Sequence, residues 1–351
     1  MNLFPCPIFI HISSARPTTA LGETHAEPMT APRAKPAPNP DGTPVVPRVI
    51  LRPVVLSQGM TSDDVQRMCR RRAWVPLRPG AYVEADALRA LAAEQRHIVL
   101  IDATMPSVGA DLVISHVSAA CLFGIDMWQP SLRAVQLTRP GAATGHRRRS
   151  LHTFRAAVEE DEIVQLRGYR VTSPARTVVD LARVLPFEAG VVAADAALRS
   201  GLTTREVLAH AATRSPKRPG MRRAHRVVAF ADAQSESVGE SRSRVMLRAQ
   251  ALPDPASQFL VRTAAGYVVA RCDFGWEEFR TVGEFDGAQK YGRLLRPGES
   301  PGDKLYREKL REDQIRDEGW QMVRWTWDEL QRPREIAARL LRAFERGRRC
   351  G

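Results

Sequence analysis

The alternation of apolar and polar residues is most regular in the last third of the chain, where it predicts helices and strands in a defined order. Short runs of β-branched and aromatic residues, separated by turn-forming residues, predict strands. These strands are expected near Gln258–Arg262, Tyr267–Trp276, Phe279–Asp286 and Trp320–Trp327. Helices are expected from Ser235 onward, across Lys304–Glu318, and after Asp328, whose side chain can cap a helix. The predicted order is α-β-β-β-α-β-α.

A second pattern, a capped helix followed by a hairpin, lies between residues 47 and 84. Thr61 and Ser62 can cap this helix, and the charges of its first and last turns complement the helix dipole. Trp74–Leu77 and Ala81–Val83, divided by a Pro-Gly pair, predict the hairpin. A helix followed by such a hairpin is typical of a winged helix, so this region is expected to dock on DNA.

Residues 85–214 are interpreted as a middle α/β region in which the pattern is mainly helical. Helices are predicted across Glu84–His97, Ser115–Gly124, Ala189–Arg199 and Thr204–Ala212, and from Ser173. One short apolar run, Ile98–Asp102, predicts a buried strand. His116 lies in the first turn of its helix, and no Cys or Asp partner stands at nucleophile spacing, so a structural role is favoured over a catalytic one.

Two further segments differ in composition from these regions. Residues 1–46 are rich in Pro, Ala and Thr and predict a disordered tail. The stretch from Ser215 to Arg226 contains five Lys or Arg residues amid Pro and Gly, and residues 215–234 are interpreted as a basic linker. The linker suits phosphate contact and simple solvation equally well. The last region is placed at residues 235–345.

Length and charge narrow the class of protein. A chain of 351 residues is long enough for two or three modules with their own cores. Its net charge of +13 favours a polyanionic partner, above all DNA, although arginine-rich composition also follows from coding bias. The five cysteines are scattered and form no Cys-x-x-Cys pair, which indicates a reducing cytoplasm. The apolar run Leu3–Ile12 is too short to span a membrane.

Six arginines are candidates for phosphate contact because they follow the predicted helix, lie in the hairpin or belong to the basic segment. They are Arg70, Arg71, Arg72, Arg78, Arg222 and Arg223. For the first three, satisfying the end of the helix is as good an explanation as DNA contact.

Acidic residues are concentrated on the predicted strand pair in the C-terminal region. If the turn falls at Glu277 and Glu278, Thr281 lies opposite Phe274 and Glu284 opposite Arg271, so that Asp273, Glu284 and Asp286 share one face. Oxygen ligands of this kind suit Mg²⁺ or Mn²⁺. The alternative interpretation is a polar sheet edge without a metal.

Two stretches of the chain resemble known families. Residues 235–330, through an Asp-Phe strand at Asp273 and a Glu-x-Asp-Gly strand at Glu284, resemble the PD-(D/E)xK superfamily, in particular a family similar to very-short-patch repair endonucleases. Residues 49–200 look like actinobacterial proteins with the winged-helix antitoxin domain of abortive-infection, type IV toxin–antitoxin systems. The stretches that carry the second resemblance are Trp74–Tyr82, Ser115–Gly124 and Thr172–Leu181.

The resemblance implies an α/β plus α fold, with an N-terminal winged helix-turn-helix, a helical, antitoxin-like middle region and a C-terminal restriction-endonuclease-like αβββαβ core. It also implies a metal site in which Asp273 and Glu284 hold Mg²⁺ (or Mn²⁺) and Glu240 closes the site. Asp286 stands where the superfamily carries a lysine. Lys290 or Lys309 is expected to supply that positive charge instead.

The function expected from this sequence is that of a cytoplasmic DNA-binding protein with a Mg²⁺-dependent endonuclease domain. The alternative is a non-catalytic transcriptional regulator of antitoxin type with a degenerate nuclease fold, and RNA is a weaker choice of partner. DNA and a cognate toxin are the expected partners. The sequence implies no membrane partner and no small-molecule cofactor.

Overall fold

The computed structural model describes residues 45–141, 146–148, 150–214, 218–287 and 301–350. All of them lie in one compact unit that spans residues 33–351. The described chain is a mixed α/β structure with a three-stranded, a six-stranded and a four-stranded sheet. None of its described helices is long and apolar enough to cross a membrane. Lys290 lies outside the described residues.

The N-terminal region is a pair of short helices followed by a hairpin. Its elements are β1 (Ile50–Leu51), α1 (Arg52–Ser57), α2 (Ser62–Arg70), β2 (Trp74–Arg78) and β3 (Ala81–Glu84). The sheet order is β1-β3-β2 with antiparallel pairing throughout. Thr61 caps α2, because its hydroxyl accepts from the Asp64 amide and the Asp64 carboxylate accepts from the Thr61 amide. The predicted helix and hairpin are therefore present.

The segment after β3 corrects the prediction made for residues 84–102. It holds α3 (Ala85–Arg89) and α4 (Ala93–Thr104), so the helix predicted across Glu84–His97 is broken and the strand predicted at Ile98–Asp102 is wrong. The run Ile98–Asp102 lies inside α4, where Ile98, Val99 and Ile101 are buried. A short apolar run fits a buried helix as well as a buried strand, because periodicity alone does not separate them.

The middle region contains a six-stranded sheet that the sequence patterns did not predict. Its elements are β4 (Val113–Ile114), α5 (His116–Phe123), β5 (Val135–Arg139), β6 (His146–Arg148), β7 (Leu151–Arg155), β8 (Ile163–Leu166) and β9 (Tyr169–Thr172). The strand order is β6-β7-β5-β4-β9-β8. The expectation of a helical middle region is corrected to a mixed one. These strands are two to five residues long, too short for a clear period-two pattern.

Four helices complete the middle region and cover its core. They are α6 (Pro174–Val184), α7 (Phe187–Arg199), α8 (Arg205–Thr213) and α9 (Met221–Phe230). The last of them corrects the expected basic linker at residues 215–234. Met221, Ala224, Val227 and Val228 are buried along one face of α9, at helical spacing, and join the same apolar core as α6 and α7. Arg222, Arg223 and Arg226 of this segment therefore belong to a packed helix, whereas Arg218 precedes it.

The C-terminal region has the predicted order of elements. They are α10 (Val238–Ala249), β10 (Ala256–Arg262), β11 (Val268–Trp276), β12 (Thr281–Asp286), α11 (Pro301–Asp317), β13 (Gln321–Thr326) and α12 (Pro333–Cys350). The sheet order is β10-β11-β12-β13, with antiparallel pairs except for the parallel pair of β12 and β13. Residues of α10 and α12 pack on one face of this sheet and Ile315 of α11 packs on the other.

Two local predictions for this region are wrong. The helix α10 begins at Val238, after its cap Ser237, and not at Ser235 as expected. The connection between β11 and β12 is also longer than the assumed two-residue turn. Trp276 pairs with Thr281, and Phe274 pairs with Gly283 instead of Thr281. A shift by two residues preserves which residues share a face, because side chains alternate with a period of two.

The middle and C-terminal regions meet along α7 and α10. Arg244 of α10 forms an ion pair with Asp195 of α7 at 3.0 Å, and Arg242 forms one with Glu188 at 2.8 Å. The Arg242 guanidinium also lies 3.9 Å from the ring centroid of Trp128, which stacks on Trp327. The C-terminal region is thus docked directly on the middle region through buried charges and aromatic rings.

Candidate functional site

Asp273 and Glu284 lie on adjacent strands, next to the last paired residues of β11 and β12. The pairing ends at Phe274 and Gly283, and the two acids are the next residues along their strands. The Phe285 amide donates a hydrogen bond of 2.7 Å to Oδ2 of Asp273. The Asp273 carboxylate thus satisfies a β12 amide where the ladder of backbone hydrogen bonds stops. The structure therefore brings these two predicted site residues together.

Two arginines neutralise Glu284. Arg311 of α11 donates to Oε1 at 2.6 Å, and Arg324, the register partner of Glu284 on β13, forms an ion pair with Oε2 at 3.1 Å. Arg311 also donates to the Arg271 carbonyl at 2.6 Å. Burial lowers the pKa of Arg311, but the Glu284 hydrogen bond and charge outweigh it, so the pKa is raised overall. The Arg311 guanidinium remains charged beside the carboxylate.

Glu240 is held at the start of α10 by three donors. The Ser237 hydroxyl donates to Oε1 at 2.8 Å, and the Glu236 amide and Gln258 Nε2 donate to Oε2 at 2.8 and 2.9 Å. Gln258 has a φ of 53°, the left-handed conformation that side chains other than Gly rarely adopt. Both carboxylate oxygens of Glu240 therefore already accept hydrogen bonds, from the residues that precede α10 and from Gln258 of β10.

The three acids predicted to hold the metal lie on different elements: Glu240 on α10, Asp273 on β11 and Glu284 on β12. Phe274 and Phe285 pack on the sheet face that α10 and α12 cover. Because side chains alternate along a strand, Glu284 belongs to the opposite face, on which Arg311 of α11 meets it. Glu240 comes from the helix on the other side. Among the described residues, no three His, Cys, Asp or Glu side chains form a group that could hold a metal ion.

The other residues predicted for this site differ in how exposed they are. Asp286 is half-buried at the end of β12, and Lys309 is exposed on α11. Arg311, Arg324 and Gln258 also contact the predicted acids and were not among the predicted site residues. Arg324 could have been found from the sequence, because it alternates with the apolar residues of a predicted strand and so lies on the other face of that strand. Arg311 could not, because its helix carries charged residues on most sides and no face stands out.

The arginines predicted to bind nucleic acid fall into two groups. Arg70, Arg71 and Arg72 are exposed at the end of α2, and Arg222 is exposed on α9. The other two bind backbone carbonyls: Arg78 donates to Thr104 at 3.0 Å, and Arg223 donates to Leu185 at 2.8 Å and Arg183 at 3.0 Å. Arg223 thereby satisfies carbonyl groups at the end of α6, and phosphate contact by these residues stays a prediction.

A buried polar network lies between the sheet and helices of the middle region. Arg176 donates to Glu162 at 2.6 Å and to Asp180 at 2.8 Å. His116 lies near Asp180, and its ring is stacked on Phe154 with 3.7 Å between the centroids. Burial lowers the pKa of His116 to about 4, so the ring is neutral at pH 7. This sealed geometry agrees with the structural role favoured for His116.

The comparison with known families concerns the middle region. Residues 112–229 match the family described as the AbiEi antitoxin C-terminal domain. The match begins just before β4 and ends inside α9, so it includes the six-stranded sheet, the Arg176 network and most of the helix that replaces the expected linker. This part of the chain is antitoxin-like, as expected for the middle region.

Two relatives extend the similarity beyond that region. The chain is similar to uncharacterized protein MT2308 of Mycobacterium tuberculosis strain CDC 1551 / Oshkosh and to uncharacterized protein Rv2248 of strain ATCC 25618 / H37Rv. Each is 29% identical over 238 residues, which is 67% of this chain and 82% of the relative. The solved RV2827C protein of Mycobacterium tuberculosis has a TM-score of 0.35 and 16% identity, covering 52% of this chain and 72% of that chain.

Proposed function

We propose that this chain is a DNA-binding regulator of antitoxin type, with a cognate toxin as its second partner. The observation that carries the proposal is the match of residues 112–229 to the AbiEi antitoxin C-terminal domain. Within this proposal the middle region holds the antitoxin-type fold, the N-terminal region contacts DNA, and the C-terminal region is a non-catalytic domain fixed to the middle one.

The topology of the N-terminal region supports the DNA-binding part of the proposal. Two helices precede a hairpin, and β1 pairs with the second hairpin strand, an order of elements that supports a winged helix. In that arrangement α2 is the recognition helix. Gln66 is exposed one turn before Arg70 on α2, on the side expected to meet base edges, and Arg70, Arg71 and Arg72 are the proposed phosphate contacts.

The test is binding to the DNA upstream of the protein's own gene, measured over a range of salt concentrations. Replacing Arg70, Arg71 and Arg72 together by Ala leaves up to three phosphates without a protein cation, so the slope of log K against log salt should fall by roughly 0.9 for each such phosphate. A matched control replaces three exposed arginines of α12: Arg334, Arg342 and Arg349. Binding that does not depend on salt, or an equal effect of the control, contradicts this assignment.

The toxin partner is tested separately. Co-expression with the toxin encoded beside the gene, followed by measurement of cell growth, should show protection that survives the arginine substitutions in α2. Protection that is absent with the unaltered chain contradicts the antitoxin assignment without affecting the DNA-binding result.

A second candidate function is that of a Mg²⁺-dependent endonuclease. The observation in its favour is the pair of acids, Asp273 and Glu284, on adjacent strands of a domain with the αβββαβ order of restriction-endonuclease-like cores. Against it, Glu284 is neutralised by Arg311 and Arg324, and the acids do not form a metal-binding group within the described ranges. We therefore place this candidate second.

The test of the second candidate starts with the metal, because no substrate is known. Calorimetry with Mg²⁺ or Mn²⁺ should show a binding heat in the unaltered chain that is lost in Glu284→Ala. Nicking of supercoiled plasmid by the unaltered protein, abolished by Asp273→Ala, would then establish endonuclease activity at this site. Heats that are the same for both proteins rule out Glu284 as a ligand.

A further inference from the structure

A groove lies beside the proposed recognition helix, between the end of α2, the strand β2 and the helix α3. Its volume is about 360 Å³. Trp74, Val75, Ala85 and Leu88 supply an apolar lining. Small-molecule pockets have volumes of roughly 300 to 1,000 Å³ and are mostly apolar with a few polar groups, so this groove has the size of a site for a small ligand.

The charged residues that line the groove are all arginines. They are Arg72, Arg89 and Arg96, and the described residues of the lining include no carboxylate. Arg96 is oriented by hydrogen bonds from Nε to the Leu88 carbonyl at 3.2 Å and from Nη2 to the Arg89 carbonyl at 3.1 Å. The groove is therefore positively charged at its edge and apolar inside.

The guanidinium groups differ in how readily they can turn to a ligand. Arg89 pairs with Asp86, but both side chains are largely exposed, and such pairs contribute little to stability. Arg72 follows α2 with a φ of 57° and is exposed, and within the described part of the chain it forms no ion pair. The free-energy cost of turning Arg72 and Arg89 from their present positions to a bound anion is therefore small.

We propose that this groove binds a small aromatic carboxylate, and that the ligand lowers the affinity of the protein for DNA. The apolar lining and the Trp74 ring suit an aromatic group, while guanidinium groups bind carboxylates with paired hydrogen bonds. A ligand that is only charged leaves the apolar lining exposed, and one that is only apolar leaves the arginines unused. The effect on DNA rests on the proposed function, whereas the binding site does not.

The coupling to DNA follows from the position of Arg72. This residue belongs both to the groove and to the exposed arginines that end α2. A guanidinium that turns inward to a carboxylate is no longer available to a phosphate. The ligand should therefore remove about one phosphate contact and reduce the salt slope of DNA binding by roughly 0.9.

Cys69 provides a readout of the groove, because it is a free cysteine in the lining. The rate of its alkylation by N-ethylmaleimide is followed by peptide mass spectrometry in the full-length protein without DNA. The probes are phenylacetate, its neutral analogue phenylacetamide, acetate and inorganic phosphate. We expect phenylacetate to slow the alkylation of Cys69 several-fold in a saturable manner, with the other three probes having little effect.

A groove variant keeps the test independent of folding. Arg72→Met retains an apolar stem and removes the guanidinium, so phenylacetate should protect Cys69 less and should no longer change the salt slope of DNA binding. Equal protection by phenylacetate and phenylacetamide, protection by phosphate, or no protection by any probe overturns the proposed site. Failure of DNA binding with intact protection of Cys69 counts against the proposed function alone.

Discussion

The middle and C-terminal regions each place a carboxylate between arginines, but they differ in how far water can reach it. In the middle region the side chains of Arg176 and Asp180 are 2% and 1% exposed. In the C-terminal region the side chains of Glu284 and Arg311 are 15% and 33% exposed. The first cluster is sealed inside the core of the antitoxin-like region, whereas the second opens to solvent at the end of two strands.

This difference decides what each cluster can do. A sealed ion pair has no route for a ligand, and its removal leaves an uncompensated charge in the core. A half-open pair can exchange one partner for a ligand, and its contribution to stability is small because water screens it. Charge pairing by itself therefore does not indicate function, and exposure separates the structural cluster from the candidate site.

The largest expected effect is on the sealed cluster. Arg176→Ala should lower the free energy of unfolding by about 3–5 kcal/mol, mainly because Glu162 loses its cation while remaining buried; Asp180 keeps its pair with Arg183 at 2.9 Å. Denaturant unfolding followed by circular dichroism measures the change. A matched control is Arg334→Ala, an exposed arginine of α12, for which we expect a change within about 0.5 kcal/mol. Similar losses in both variants would contradict the comparison.

A smaller, pH-dependent effect is expected at Asp195, which joins the two regions. Asp195 is fully buried, accepts from the Asp232 amide at 2.7 Å and pairs with Arg244. Burial raises the pKa of Asp195 to about 6, and Arg244 only partly opposes this. Because the pKa is raised on folding, the folded state holds the proton more tightly, and the contribution of Asp195 to stability falls as pH rises from about 4 to about 6.

Asp195→Asn isolates this contribution, because asparagine does not titrate. The stability of the unaltered protein minus that of the variant should decrease by up to about 3 kcal/mol across that pH range. Denaturant unfolding at a series of pH values gives the difference. A difference that increases with pH would show that Arg244 favours the ionised carboxylate more strongly than burial disfavours it.

The sequence predicted the C-terminal region better than the middle one, for reasons that particular elements show. In the C-terminal region, strands of six to nine residues give a readable period-two pattern, and the order α-β-β-β-α-β-α is present. In the middle region, β4 has two residues and β6 has three, so the sheet left no pattern to detect. The segment that forms α9 was interpreted as a linker because of its arginines, although the apolar residues between them form the buried face of a helix.

The candidate site was predicted in part. Parity along β11 and β12 placed Asp273 and Glu284 together even though the assumed turn was too short, because the register error was two residues. The partners of Glu284 were not predicted. Arg311 comes from a helix after a long connection and Arg324 from a parallel strand, and such contacts are set by tertiary packing and not by local spacing.

The smallest expected effect concerns the partly exposed ion pairs of Glu284 with Arg311 and Arg324. Glu284→Gln should lower the free energy of unfolding by only about 1 kcal/mol, because Arg311 and Arg324 can turn to water when their partner loses its charge. The difference should shrink in salt of about 1 M, where the screening length is roughly 3 Å. A more exposed ion pair serves as the control: Asp254→Asn, which removes the charge paired with Arg248, should change stability by less than about 0.5 kcal/mol. A loss for Glu284→Gln as large as that for Arg176→Ala, with no dependence on salt, would mean that the C-terminal cluster is as sealed as the middle one and cannot serve as a binding site.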